Sequence, residues 1–326
     1  MSGAVPPLEN HPVNKLLRYH LGWSDQEGNP SPTPASQGKA LRPTLCMFAC
    51  DALHGDPRLA APAAASLELI HNFSLVHDDI QDRGYERRHQ PTVWALWGTA
   101  PALVAGDAMQ SLGDFTSISF EDSVPASTAI RVSGLLTESY LEMIEGQCRD
   151  LQFEQRETIG AEEYLDMIAL KTGALIRSSL VIGATVATDD AEVIEGVARF
   201  GRAIGRLFQI RDDYLGIWGD DAITGKSTDS DIVQRKKSYP IVYAFQQATG
   251  ASRTELLRLY GQEALDESDV DQVMQILEDL GAARQTDSLT EATAQEGRSA
   301  LATLELPPWA TDDAENLIDF MAYRLF

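Results

Sequence analysis

Residues 68–97, ELIHNFSLVHDDIQDRGYERRHQPTVWALW, decide how the rest of this chain is read. Apolar residues at Leu69, Ile70, Phe73 and Val76 fall between Glu68, His71 and Asn72 in a 3.6-residue rhythm, which predicts a helix. On that helix Asp78 and Asp82 stand one turn apart on one face, with Asp79 beside them. Carboxylates stacked in this way repel each other unless a cation sits between them. Mg2+ is the usual cation, commonly held by one or two carboxylates together with a substrate's phosphates. Shortly downstream, Arg87 and Arg88 supply forked donors suited to phosphate oxygens. A metal-holding acid followed by a phosphate-holding base describes a diphosphate site. An acidic helix end trailed by two arginines can also be a plain solvated surface. The apolar run Phe73-Ser74-Leu75-Val76 leads straight into the carboxylates, however, and sets them at the lip of an apolar space.

Composition narrows the classes. The chain has 326 residues, of which 44% are hydrophobic, enough for a sizeable core. A formal charge of -23 argues against a nucleic-acid partner. The same charge repels an anionic substrate at long range, so a diphosphate has to be held by local clusters of Lys and Arg and by metal ions. Cys46, Cys50 and Cys148 make no disulfide framework, and Cys46 and Cys50, one helical turn apart, read as small core residues rather than a metal pair. The sequence predicts no membrane span, and the start MSGAVPPLENHPVNK lacks the pattern of a secretory signal. A cytoplasmic protein is expected.

The periodicity stays helical almost throughout. Helices are predicted at Pro12–Leu21, Thr44–Leu53, Glu68–Asp82, Thr92–Trp97, Ala100–Phe120, Ala126–Glu154, Ala161–Val186 and Asp190–Trp218. Further ones are predicted at Ser238–Gln247, Arg253–Tyr260, Ser268–Leu280, Asp287–Leu304 and Asp312–Leu325. The expected fold is all-α, a bundle of about ten or more helices with no linker dividing it. It is read as one domain over residues 1–326: a first helix and loop at 1–37, a core bearing the chemistry at 38–240, and a helical scaffold at 241–326. In GKALRP, Lys39 and Arg42 sit at a helix N-terminus, where the backbone dipole also favours an anion.

A second acidic cluster lies in the helix predicted at Asp190–Trp218. Gly201 and Gly205 there allow close approach of another helix, and the helix ends in FQIRDDYLG, with Gln209, Asp212 and Asp213. Asp220, Asp221 and Lys226 follow. Two acidic helices, each trailed by Lys or Arg, make a carboxylate set able to hold several Mg2+ ions around one diphosphate.

With both clusters in view, the chain resembles the trans-isoprenyl diphosphate synthases, the polyprenyl synthetase family, from about Lys39 to Pro240. DDIQD resembles the family's first Asp-rich motif, RRHQPT its RRGxPT and GKALRP its GKxxRP. AGDAM at Ala105–Met109 and EGQCRDL at Glu145–Leu151 resemble two further signatures. The resemblance implies a helical bundle around a central apolar cavity, and a homodimer. It implies isopentenyl diphosphate bound by Lys39, Arg42, His71 and Arg88, and an allylic diphosphate bound by Arg87, Lys171, Thr172, Gln209, Lys226 and Lys236. Mg2+, up to three ions, would be held by Asp78, Asp79, Asp82, Asp212 and Asp213. Asp78, Asp82, Arg87, Lys171, Asp212 and Lys226 would carry the ionisation of the allylic substrate. Candidate cavity walls are Phe73, Ser74, Val104, Leu135 and Met143.

One departure stands out: the second motif reads DDYLG, so Gly216 takes the place of its last aspartate, and Asp220 is a candidate to compensate. The spacing Asp212, Gly216, Asp220 also matches a metal motif of class I terpene cyclases. Product length is expected to depend on Phe73 and Ser74, beneath the first aspartates. One aromatic followed by a small residue resembles the archaeal-type geranylgeranyl synthases, which points to a C20 product, with C15 as the alternative. A cyclase and a catalytically silent subunit of a heteromeric synthase are the further readings.

Overall fold

The computed structural model describes residues 11–31, 40–119, 124–219 and 230–325. Lys39, Asp220, Asp221 and Lys226 lie outside the described residues. The fold is all-α. The helices are α1 Pro12–His20, α2 Leu41–Ala52, α3 Pro57–Gln81, α4 Val93–Trp97, α5 Thr99–Ser117, α6 Ala126–Glu154, α7 Ala161–Ile168, α8 Ala174–Ala187 and α9 Ala191–Trp218. They continue as α10 Ser230–Val233, α11 Tyr239–Gln247, α12 Gly250–Tyr260, α13 Glu267–Asp279, α14 Ala282–Leu301 and α15 Pro308–Tyr323. A two-residue hairpin pairs β1 Glu86–Arg87 with β2 Gln90–Pro91.

The contacts group the residues into two compact units, one of residues 1–140 and 178–194, the other of 141–177 and 195–326. Helix α3 is the spine of the first. It starts eleven residues earlier than the rhythm of Glu68–Asp82 predicts, because Asp56 caps it by accepting from the Arg58 amide at 3.0 Å and Pro57 fills the first position. The intervening run is rich in alanine, the best helix former, and shows no apolar stripe to read. Leu67, Leu69, Ile70, Phe73 and Val76 are buried. Each such side chain stabilises the fold by about 1.5–3 kcal/mol. Helices α2 and α5 pack on α3. Gly113 of α5 lies where a β-carbon would stand 2.8 Å from Ile70 Cδ1, so the two helices meet there through a glycine.

In the second unit the helix predicted at Ala161–Val186 is interrupted by a π-turn, Ala169–Gly173. Its core is built on Ile217, Ile241, Phe245, Leu256, Leu259, Val273 and Leu277, with Phe153, Tyr164, Met167, Ile210 and Tyr239 in a second cluster. Two stretches, Pro57–Gln81 and Ala161–Ala187, are long and apolar enough to cross a membrane by length and composition alone, against the expectation from sequence. Most of each apolar window, 61% and 72%, is buried inside the protein, as befits core helices.

Candidate active site

The first acidic motif closes α3. The Asp82 amide donates to the Asp78 carbonyl at 2.8 Å, so the two side chains stand one turn apart. Asp78 is half-buried and Asp82 exposed, whereas Asp79 is buried. Arg87 reaches Asp79 Oδ1 with both Nε and Nη2, each at 2.8 Å. Burial pushes the Asp79 carboxyl up to about 6 even with that guanidinium beside it. Asp79 and Arg87, expected respectively on metal and on diphosphate, are thus engaged with each other.

The loop that delivers Arg87 is held firmly. Thr92 Oγ1 and Trp94 Nε1 donate to the Gly84 carbonyl at 2.8 and 2.7 Å. The Tyr19 hydroxyl donates to the Pro91 carbonyl at 2.7 Å, tying α1 to the hairpin. Arg88 and His89 form the hairpin turn with φ of 54° and 61°, a conformation that costs non-glycine residues energy and is met where function overrides it.

Behind the hairpin the first unit gathers positive charge. His71 is held well below its ordinary value by burial first, and then by Arg42, Arg88, Arg87 and His20. His20, from the end of α1, is lowered to about 3 by burial and then by Arg88 and Arg87. Two imidazoles held neutral thus lie among three guanidiniums, and the Asp79 carboxyl lines the same pocket as His20, Arg87 and Arg88. Arg42, His71 and Arg88 were anticipated from sequence; His20 was not. A histidine at the end of a short helix, 51 residues from His71, carries no motif.

The second motif is built in the other unit. The π-turn carries Lys171 and Thr172, and such turns recur at functional positions. It is approached from two sides through glycine. A β-carbon on Gly205 of α9 would stand 2.6 Å from Gly173 Cα, and one on Gly146 of α6 would stand 2.6 Å from Lys171 Cα. The second approach brings Asp150, one turn beyond Gly146, into an ion pair with Lys171. Thr172 Oγ1 donates to Gln209 Oε1 at 2.7 Å, and Gln209 Nε2 donates to Asp213 Oδ1 at 3.0 Å. Asp213 also accepts from the Tyr164 hydroxyl at 2.5 Å and the Tyr239 amide at 3.0 Å. Burial pushes its carboxyl up to about 7.

Asp212 faces outward, and Arg324 Nη2 donates to its Oδ1 at 2.6 Å. Arg324 also donates to the Phe208 carbonyl at 2.9 Å, and its guanidinium lies 4.3 Å from the Phe208 ring centre. Lys236 is exposed, 3.9 Å from Asp231. Its neighbour Lys237 donates to the Phe153 carbonyl at 2.5 Å and caps the end of α6. Tyr164, Lys237 and Arg324 escape a reading by motif, since each acts on a side chain or helix end remote in sequence, whereas Asp150 lies inside the EGQCRDL signature, which gave it no role of its own.

Of the candidate cavity walls, Phe73 and Met143 are buried and Ser74 and Leu135 half-buried, but Val104 is 55% exposed and faces outward from α5. Its place on an apolar-looking helix misled, because α5 carries apolar residues on more than one face. The Ser74 hydroxyl donates to the His71 carbonyl at 2.8 Å, and Phe73 packs edge-on to His77, ring centres 5.2 Å apart. The His77 ring occupies the space where a β-carbon on Gly106 would sit, which gives the glycine of AGDAM its reason.

Among the described residues no three or more His, Cys, Asp or Glu side chains form a cage for a metal. The oxygen donors of Asp78 and Asp82 instead suit Mg2+, which is ordinarily bound by one or two carboxylates with the rest of its shell from water and substrate phosphates.

A bundle with these acidic and basic clusters belongs to a known class. The family model for polyprenyl synthetase matches residues 31–277, and the chain belongs to that family. It is 38% identical over 320 residues to (2E,6E)-farnesyl diphosphate synthase of Mycobacterium tuberculosis, covering 97% of this chain and 87% of the relative. It is 35% identical over 291 residues to geranylgeranyl diphosphate synthase of the same organism, covering 89% and 81%. Among solved structures, polyprenyl synthetase of Streptomyces coelicolor A3(2) superposes with a TM-score of 0.89 at 33% identity, covering 98% of this chain and 94% of the other. The chain is a prenyltransferase of the trans-prenyl diphosphate synthase type.

Proposed function

We propose that this enzyme joins isopentenyl diphosphate head-to-tail to allylic diphosphates and releases geranylgeranyl diphosphate, C20, as its main product. The observation that carries the reading is the first unit's pairing of Asp78 and Asp82 with the cationic pocket of Arg42, Arg88, His20 and His71. A metal-dependent allylic diphosphate needs the first, and a second diphosphate that must stay intact needs the other. That second pocket also argues against a cyclase, which has no second diphosphate to bind.

Asp78, Asp82 and Asp212 would hold Mg2+, which, when bound, neutralises the leaving diphosphate. Lys171, with Lys226 and Lys236, adds positive charge for the same diphosphate, and Thr172 and Gln209 offer neutral hydrogen-bonding groups beside it. Arg42, His71 and Arg88, with Lys39, hold isopentenyl diphosphate so that its double bond meets the allylic carbon. The apolar residues below Asp78 exclude water from the cation that forms. Asp79 and Asp213, each turned inward, position Arg87 and Gln209 rather than touch metal.

Buried Phe73 beside small, half-buried Ser74 supports C20. The 38% identity to a farnesyl synthase over nearly the whole chain favours C15 as the second reading. Incubation with labelled isopentenyl diphosphate, Mg2+ and each allylic primer, followed by sizing of products, tests both. No elongation with any primer overturns the proposal.

A homodimer belongs to the same reading. In the first unit Leu103, Val104, Phe115, Ile118 and Ile130 are exposed on and beside α5 and at the start of α6, apolar side chains that a second copy would cover. Light scattering at twice the 35.7 kDa chain mass is expected, and a monomer would contradict it.

A further inference from the structure

Helix α1 ends beside the loop that carries Arg87, and its last two residues meet that loop in different ways. The Tyr19 hydroxyl bonds the Pro91 carbonyl, and its ring packs edge-on against Trp97, ring centres 5.0 Å apart. His20 lines a cavity of about 20 Å³, whose walls also include Tyr19, Asp79, Arg87, Arg88 and Gln90. Two atoms of these residues, His20 Nε2 and Asp79 Oδ2, are buried without a hydrogen-bond partner. Both Arg87 bonds to Asp79 go to the other oxygen, Oδ1. Buried polar atoms are rarely left unpaired, and an ordered water is a common partner. A space of about 10–15 Å³ suffices for one water, so this cavity has the room. Charge decides the occupant. An anion would meet the Asp79 carboxylate, and a cation would meet Arg87 and Arg88. A water can donate to the carboxylate and to a neutral imidazole nitrogen at once. Burial and the two arginines keep that imidazole neutral.

We propose that His20 is a positioning residue for Arg87: through one ordered water it holds the Asp79 carboxylate on which the Arg87 fork is set. The water link stands on the cavity and its two unpaired atoms. Its effect on substrate rests on the reading above that gives Arg87 to the allylic diphosphate. The end torsion of an aspartate is soft, so a carboxylate held through one oxygen can turn, and one held through both cannot. Fixing Asp79 in this way fixes the direction of Arg87. Asn72 is the rival partner for His20. It acts on the imidazole, and its own Oδ1 is buried without a partner. Asn72 does not line the cavity, however, and its amide nitrogen is committed to Glu68, at 2.8 Å to the carbonyl and 3.0 Å to Oε1. Its Oδ1 suits the other ring nitrogen, which leaves Nε2 to accept from the water while the second proton of the water goes to Asp79.

The test reads the water and the substrate separately. A high-resolution crystal structure of the wild-type protein is expected to show one ordered water within hydrogen-bonding distance of both His20 Nε2 and Asp79 Oδ2. A dry cavity, or a water that reaches only one of the two atoms, overturns the inference. Steady-state kinetics then compare the wild type with H20F, which keeps a ring without polar atoms, and with H20Q, which keeps a polar tip. H20F should raise KM for the allylic diphosphate about tenfold, the size expected from a lost hydrogen bond to a charged group. KM for isopentenyl diphosphate should stay nearly unchanged. H20Q should bring the allylic KM back to within about threefold of the wild type. An unchanged allylic KM in H20F overturns the inference, as does an H20Q variant no better than H20F. Equal rises for both substrates overturn it too, since a general loosening of α1 gives that result. If H20F does not fold, the crystal structure of the wild type decides alone. Failure of the wild type to elongate any primer brings down the functional reading, and the crystal structure still decides the water link.

Discussion

The two acidic motifs solve the same problem with different parts. In each, the leading aspartate, Asp78 or Asp212, is accessible, and the next, Asp79 or Asp213, is buried and spent on the protein itself. Arg87 secures Asp79 with a charged fork, whereas Tyr164, Gln209 and the Tyr239 amide secure Asp213 with neutral donors. The third position differs most: Asp82 extends the first helix, but Gly216 leaves the second helix bare against Asp231. A DDxxD pattern is therefore not three equivalent ligands. It is one partly accessible carboxylate, one buried carboxylate held by the protein, and a last position taken by an aspartate in one motif and a glycine in the other.

The largest effect expected from breaking the comparison is on turnover. D78A should lower kcat by at least about a hundredfold, while stability moves by only about 0.5 kcal/mol. D79N should retain far more activity, because Asp79 acts through Arg87. Steady-state kinetics with melting curves for the two variants measure the difference. Equal losses would mean that the adjacent aspartates share one role after all.

Next in size is the product. Phe73 and Ser74 lie on α3 about one turn before Asp78, and each helical residue adds 1.5 Å of depth. F73A should lengthen the main product by at least one five-carbon unit, and S74F should shorten it toward C15. Chromatography of the dephosphorylated products reads this directly. An unchanged distribution in both variants would place the floor on another helix.

The helical class, most helices and the residues of both motifs were legible in the sequence, because an apolar stripe and a repeated acid-then-base order are local patterns. What the residues do was less legible. Nothing local distinguishes Asp78, which is half-buried, from Asp79, which is buried against Arg87; the hairpin that brings Arg87 back decides it. Arg324 was missed since it meets its partner across a long stretch of chain. Asp220, the candidate to compensate for Gly216, lies outside the described residues; Asp231 meets position 216 from a separate element, and periodicity cannot reveal that contact. Val104 shows the opposite error, an apolar residue read as a wall on a helix whose apolar faces are not all inward.

The manner in which the buried aspartates are held sets a smaller, thermodynamic difference. R87A strips a charged partner from a buried carboxylate and should destabilise the fold by about 1–3 kcal/mol, whereas Y164F removes one of three neutral partners of Asp213 and should cost about 0.5–1.5 kcal/mol. Urea denaturation of both variants compares them. A larger loss in Y164F would reverse the ranking of charged and neutral anchors.

A further expected effect lies in pH. The first region holds His20 and His71 neutral among arginines, and the second motif's network of Thr172, Gln209, Asp213 and Tyr164 includes no histidine. In the unfolded chain a histidine takes up its proton near 6.5, but folded His20 does so only near 3. Between those values the unfolded state binds more protons, so stability rises with pH across the window and is lost as pH falls below about 6.5. The groups that act on His20 include Arg87 and Arg88, which oppose its protonation, and Asn72, which favours it, and the Asp79 carboxyl lines the same pocket. Replacing His20 with Asn should therefore flatten the fall in Tm between pH 6.5 and pH 4, and His71→Asn should do the same. Inorganic diphosphate should also flatten it in the wild type, because an anion beside the imidazoles makes their protonated form less costly. A Tm profile equally steep with and without diphosphate would show that the anion does not sit beside these histidines.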